Sequence, residues 1–262
     1  MSESTISSIS WATSNLELLP TPTSTSIVLC WVPLTRNGKS VLSDSERLRA
    51  IEMFSDIQWD RYERREGTAS DTYLTGRYFL LTLLGHFTGQ TAEHVKLSYN
   101  RLNKPYLQPN PQGIEFNFTD TSSINDGVEQ SYGLFAFSLN SAVGVDIEMP
   151  NRSANVKLIA SKRFTEVEQA FVEHAKSDNI DHRFLQVWTR KEAFGKACGV
   201  GINFKMNQLN VLNPDSPTYR FNSREQDWCL QQVLGPNGEI ACVVHAGTAE
   251  KKLHAFKIQA NL

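Results

Sequence analysis

Three things are scarce in this sequence. The four cysteines, Cys30, Cys198, Cys229 and Cys242, include no C-x-x-C pair, so neither a zinc site nor a thioredoxin-like redox motif is suggested. Scattered single cysteines suit a reducing compartment. Excess charge is missing as well. The 26 Lys and Arg against 28 Asp and Glu leave a formal net charge of −2. That balance offers no basic field to draw nucleic acid, and any phosphate must be held by a few placed cations. Long apolar runs are also lacking. Stretches such as YFLLTLLG at 78–85 are too short to cross a bilayer. The start, MSESTISSISWATSN, has neither the cationic beginning nor the apolar stretch of a signal peptide. The expectation is a cytoplasmic monomer with no membrane and no nucleic-acid partner.

What is present is ordinary globular material: 262 residues, 40% hydrophobic and 21% charged. Residues 1–24, rich in Ser and Thr, read as a loose arm. SIVLCWVPL at 26–34 reads as a buried strand, and DSERLRAIEMF as a capped helix. DRYERREG is a charged run before a core helix over 70–87, closed by Gly85 or Gly89. VKLSYNRLNKPYL reads as a short strand and a Pro-fixed turn; EFNFTDT, YGLFAFSL and AVGVDIEMP read as strands. VKLIASKRF, TEVEQAFVEHA and DHRFLQVWTRKEAFGKACG read as helices, and NQLNVLN, TYRFN, WCLQQVL, EIACVVHAG and LHAFKI as strands. The order predicts an α+β fold with helices packed on antiparallel-rich sheets. Two halves are expected, 25–140 and 141–262.

Two stretches stand out. In GVDIE at 144–148, strand alternation puts Asp146 and Glu148 on one face. Such a pair is tolerable in water or with a divalent cation between its members, and on these residues alone a solvated face is the simpler reading. In WTRKEAFGKACGVG, Trp188, Glu192 and Lys196 lie along one helical stripe. An exposed Glu–Lys pair and a site are both open there, although a Trp at the head of the stripe disfavours full exposure.

GVDIE followed by W-x-x-K-E-A-x-x-K, with RFTEVEQ at 163–169 between them and NKPYL at 103–107 upstream, resembles the signature of the 4′-phosphopantetheinyl transferases. The length resembles the Sfp-like class, in which one chain holds two similar halves in a pseudo-twofold arrangement. The resemblance implies transfer of phosphopantetheine from coenzyme A to a serine of an apo carrier protein, with Mg²⁺ on the pyrophosphate. It implies Asp146, Glu148 and Glu192 as metal ligands, which suits a hard cation, with Lys196 stabilising charge on the phosphates and Glu168 as general base. The helix dipole alone would also favour Glu168 where it stands. Lys104, Arg61 and Arg77 become phosphate contacts, with a solvated surface charge the other open reading for each arginine, and Lys191 either beside them or facing solvent; Arg64 and Arg65 resemble such contacts less. One segment departs from the family. Where relatives commonly have F-N-[IL]-S-H-S, this chain has FNFTDT at 116–121. Thr119 replaces a serine hydroxyl, but Asp120 in the histidine's place is an acceptor unless protonated. Asp120 is therefore expected to turn to an arginine, or to accept a backbone or sugar hydrogen bond. Asn103, replacing a glycine, is expected to tolerate a left-handed turn. The rival readings are another Mg²⁺-dependent phosphoryl enzyme and a non-catalytic paralogue that binds carriers or nucleotides.

Overall fold

A computed structural model of the chain describes residues 6–125, 128–150, 155–175, 179–201, 205–213 and 216–259; residues 1–5 of the expected arm lie outside these. The first sheet has the order β1-β12-β2-β7-β6, with a short β3 also on β2. Its strands are β1 (Trp11–Ser14), β2 (Ser26–Arg36), β3 (Lys39–Ser40), β6 (Ile114–Asn125), β7 (Val128–Leu139) and β12 (Lys252–Ile258). The second sheet runs β8 (Val143–Glu148), β11 (Ile240–Ala246), β10 (Gln226–Leu234), β9 (Thr218–Ser223), all antiparallel. A small hairpin, β4 (Leu97–Tyr99) and β5 (Pro105–Leu107), stands apart.

Strand periodicity explains the layering. Val28, Cys30, Val32 and Leu34 of β2 join Phe135 and Phe137 of β7 under helix α3 (Gly67–Thr88). The intervening Ile27, Leu29 and Trp31 face the other way, against Val143, Val145 and Ile147 of β8 and Val243 of β11. The remaining face of the second sheet, with Leu230, Ile240, Cys242 and Val244, packs on helix α6 (Ile180–Ala197). The layers are helix, sheet, sheet, helix. Central strands covered on both faces read as continuous apolar runs rather than as alternation. The mixed α+β class holds.

Helices α1 (Asp44–Glu52) and α5 (Glu166–Glu173) each start on a capping box, Ser43 with Glu46 and Thr165 with Glu168. α4 is Val156–Arg163. The charged run forms part of a further helix, α2 (Asp56–Glu63), capped by Ser55 and Gln58. Gly89, at φ 67°, closes α3, while Gly85 lies inside it.

Three expectations need correction. Residues 6–24 are not a loose arm. β1 pairs in parallel with β12, Ser7 bridges Val233 of the other sheet, and the Trp11 indole donates to the Leu234 carbonyl; Ile6, Ile9 and Trp11 supply apolar surface that the Ser/Thr content obscures. The 141–262 half is not self-contained, because β12 inserts between β1 and β2. NQLNVLN is not a strand: Met206–Gln208 form a short 3-10 turn and Leu209–Asn213 run without a ladder, because their amides and carbonyls bond Glu168 and Lys191 instead.

Candidate active site

Helix α6 lies directly against β8. A Cβ on Gly144 would stand 2.1 Å from the Ala193 carbonyl oxygen and 2.3 Å from the Ala197 nitrogen, so only glycine permits this approach. Asp146 and Glu148 therefore face α6 instead of solvent. On the helix, Trp188, Glu192 and Lys196 are half-buried among buried neighbours, which marks a stripe along a cleft. Lys196 Nζ donates to Asp146 Oδ1 at 2.7 Å and to Thr119 Oγ1 at 2.9 Å. The Thr119 hydroxyl donates in turn to Asp146 Oδ1 at 3.3 Å. One end of the stripe holds Glu148, whose Oε1 accepts from the Trp188 indole at 3.2 Å. That indole is stacked on Phe184, and Phe184 on Phe164. Glu192, one turn from both Trp188 and Lys196, is thus bracketed between the two contacts. Burial pushes the Asp146 carboxyl above the usual range, with Lys196 pulling the other way. Its Oδ2 is buried and has no hydrogen-bond partner.

Beside this stripe a cavity of about 240 Å³ is lined by Arg77, Lys104, Asn117, Phe118, Lys196 and Gly199, among others. Arg77 from α3 is buried, its guanidinium 4.6 Å over the Phe118 ring and 5.0 Å over Tyr73. Its Nε and Nη1 have no acceptor. Buried N–H groups of a cation without acceptors are costly, and an anion in the cavity would satisfy them. Asn117 accepts from the Val145 amide at 2.9 Å and so ties β6 to β8 at the cleft edge. Asn103 takes the left-handed conformation expected of it, at φ 66°.

Lys104 behaves differently from the expected phosphate contact. Its ammonium donates to the carbonyls of Val143, at 3.2 Å, and Ala197, at 3.0 Å. It neutralises the carboxyl end of α6, while Asn100 grips the Gly199 carbonyl beside it. Burial lowers its pKa to about 8, with Glu115 opposing. Arg61 lies at the rim, donating to Asn103 and resting 4.6 Å over Tyr99. Arg65 rests over Tyr73 and donates to the Arg61 carbonyl; Arg64 pairs with Asp60 in solvent.

Other expectations fail on geometry. Glu168 and Lys191 do not face the cleft: both side chains are fully buried and pair at 2.7 Å. Glu168 also accepts from the Thr165 and Val211 amides, and Lys191 donates to the carbonyls of Met206 and Leu209. A carboxylate so saturated holds α5 and the 205–213 segment onto α6, and has no place for a substrate proton. Asp120 does not turn to an arginine: its main chain pairs with Gly133 in the β6–β7 ladder, and its carboxylate makes no ion pair or hydrogen bond with a described residue. Among the described residues, no three or more His, Cys, Asp or Glu side chains are gathered tightly enough to hold a metal ion, because Lys196 and Trp188 each hold one carboxylate of the expected set. The donor chemistry nevertheless suits a hard cation, since Asp146 keeps one oxygen without a partner. Sequence reading gave Trp188 as a packing residue that positions the helix, which its stacking on Phe184 fits, and missed the role of Asn117. Asn117 stands inside the quoted FNFTDT motif, which was the available signal.

A strand with paired carboxylates is thus laid against a helix carrying Glu and Lys, beside a cavity lined by an arginine with unsatisfied N–H groups. The model of the 4′-phosphopantetheinyl transferase superfamily matches residues 142–244, from β8 to β11. The 4′-phosphopantetheinyl transferase HetI of Nostoc sp. is 25% identical over 178 residues, 67% of this chain and 70% of that protein. The Synechocystis sp. protein slr0495 is 27% identical over 177 residues, 68% of this chain and 65% of that protein. The human L-aminoadipate-semialdehyde dehydrogenase-phosphopantetheinyl transferase is 23% identical over 177 residues, 61% of this chain and 56% of that protein. The resemblance to Sfp-like single-chain transferases holds.

Proposed function

We propose that the chain transfers the 4′-phosphopantetheine group of coenzyme A to a serine of an apo acyl or peptidyl carrier protein and releases 3′,5′-ADP. One observation carries the reading. The cavity offers the unpartnered N–H groups of buried Arg77, and its lining Lys196 bonds Asp146, which keeps one oxygen without a partner. A pyrophosphate with a divalent cation satisfies both. Asp146, Glu148 and Glu192 would hold Mg²⁺, which when bound stabilises negative charge on the phosphoryl oxygens. Arg77 and Lys196 bind and orient the pyrophosphate, and Thr119 aligns Lys196. As charge builds on the phosphoryl group, the Lys196 ammonium meets it without reorganising. Lys104 keeps the wall of the cleft in place.

The two helix-covered sheets support the reading of two similar halves in a pseudo-twofold arrangement. Four free cysteines support a reducing cytoplasm, and no helix of the described residues is long and apolar enough to cross a membrane. We read the protein as a monomer whose partners are coenzyme A and carrier domains of lipid, polyketide or peptide synthesis.

The test is incubation with coenzyme A, Mg²⁺ and a panel of apo carriers, read by intact mass. A phosphopantetheine mass gain on the carrier serine is expected. Binding of coenzyme A with no mass gain on any carrier would instead favour a non-catalytic paralogue, and cleavage of coenzyme A without a carrier would favour a hydrolase.

A further inference from the structure

The segment 6–19 crosses every layer of the molecule. Ile6 packs on the apolar cluster between α6 and the second sheet. Ser7 joins β10 of that sheet: its amide donates to the Gln232 carbonyl and its carbonyl accepts from the Leu234 amide, both at 3.2 Å. Ile9 and Trp11 pack on the cluster between the two sheets. There the Trp11 indole donates to the Leu234 carbonyl at 3.0 Å, and its ring meets Trp31 of β2 edge-on at 6.4 Å. From Trp11 to Ser14 the chain is the parallel partner of β12 in the first sheet. Leu16 and Leu19 then join the cluster between the first sheet and α3, and the Leu19 carbonyl bonds the His86 ring of α3 at 3.0 Å. One short length of chain thus clasps α6, both sheets and α3 together.

The clasp stands at the edge away from the cleft. In the first sheet β1 and β6 are the outer strands. It is β6 that meets β8 and α6, through Asn117 with Val145 and Thr119 with Asp146 and Lys196. The four strand spacings from β1 to β6 span roughly 19 Å. The groups of the cleft are divided between the layers. Arg77 belongs to α3, and Phe118 beneath it to β6. Asp146 and Glu148 belong to β8, and Glu192 and Lys196 to α6. The placing of one sheet on the other therefore sets the distance from the Arg77 guanidinium to the carboxylates. Over that span, rocking the sheets by about 3° about the clasped edge shifts these groups by about 1 Å. A misplacement of that size is enough to cost on the order of a hundredfold in rate.

We propose that residues 6–19 are a positioning clasp for the cleft, with Ser7 and Trp11 as its positioning residues. By fixing the two sheets at the far edge, they preset the spacing between Arg77 on one side and the carboxylates on the other. The inference rests on the function proposed above. A site that is preset loses less freedom when it binds. A ligand held by one layer alone is indifferent to the clasp, and a ligand that bridges the layers depends on it. The carboxylates offered to a divalent cation all stand on the second sheet and α6. A pyrophosphate bound with that cation also takes up the N–H groups of Arg77, from the other side.

The test compares the full chain with two variants. Ser7→Pro removes the amide that bonds the Gln232 carbonyl. Trp11→Phe keeps a ring beside Trp31 and removes the indole N–H. Denaturant unfolding first sets conditions under which all three are folded. Calorimetry then measures Mn²⁺ alone, and inorganic pyrophosphate in excess Mn²⁺. Mn²⁺ alone is expected to bind all three within about twofold, and pyrophosphate to bind each variant about tenfold more weakly than the wild type. Equal pyrophosphate affinity across the three would overturn the proposal and leave the transferase reading standing. So would variants that lose Mn²⁺ and pyrophosphate in the same proportion, since general loosening does not distinguish the layers. A wild type that binds pyrophosphate no better with Mn²⁺ than without it would overturn the shared site, and the proposal with it.

Discussion

Two lysine–carboxylate pairs hang from the same helix, and they differ in kind. Lys191 and Glu168 meet at 2.7 Å with both side chains wholly buried. Every oxygen of Glu168 is engaged, by Lys191 and by the amides of Thr165 and Val211. Lys196 and Asp146 also meet at 2.7 Å, but the lysine is 24% exposed and Asp146 keeps one oxygen without a partner. The distance is the same; what separates them is what remains unsatisfied. A saturated pair holds structure, and a pair with an oxygen to spare on the wall of a cleft can take a ligand.

That contrast predicts opposite phenotypes. The largest effect belongs to the open pair and its neighbours. Asp146→Ala, Glu148→Ala and Glu192→Ala should each leave a folded protein whose carrier modification, followed by intact mass, falls by on the order of a hundredfold or more; wild-type turnover of Glu192→Ala at limiting Mg²⁺ would remove α6 from the site. Next comes the closed pair. Lys191→Met leaves Glu168 charged, buried and short of its counter-ion, a change that costs about 3–5 kcal/mol, so denaturant unfolding should show a large loss of stability. If this variant were as stable as the wild type, the two pairs would not differ as described. Lys196→Met should cost less stability than Lys191→Met, since Lys196 is 24% exposed where Lys191 is wholly buried, and should lower turnover more than coenzyme A affinity. Weak binding with normal turnover would make Lys196 a docking charge only.

The last effect, read through pH, concerns Lys104, whose pKa burial lowers from 10.5 to about 8. Between those values the unfolded chain binds the proton that the folded chain has released, so this residue makes stability rise with pH across that window. Below about pH 8 its charge is carried in both states and opposes folding. Unfolding midpoints of the wild type and Lys104→Met, compared from pH 7 to 10.5, should therefore converge as pH rises; a constant difference would show that the ammonium is not desolvated in the cleft wall.

Much of the fold was legible in the sequence. The capping box of α1 is local chemistry, and the apolar run of β2 reports burial on both faces wherever it occurs. The same holds for Asp146 and Glu148, whose shared face follows from period two, and for Trp188, Glu192 and Lys196, whose shared stripe follows from 3.6 residues per turn. The arm failed as a reading because Ser7 and Trp11 gain their order from Val233, Leu234 and β12, more than 200 residues away. NQLNVLN failed because its polar main chain is satisfied by two buried side chains rather than by a neighbouring strand.

The sequence alone determined which residues share a face, since that depends on backbone periodicity and needs no partner. It could not say what each face meets. Glu168 and Asp146 are both carboxylates in family-like motifs, and only packing made one a sealed interior clamp and the other the half-satisfied partner of a lysine that lines a cavity. The same is true of Lys104, drawn from a hairpin to the carboxyl end of a distant helix, and of Arg77, buried under Phe118 with N–H groups to spare. Burial and hydrogen-bond satisfaction are sums over neighbours far apart in the chain, and those neighbours are chosen when the two sheets close on each other.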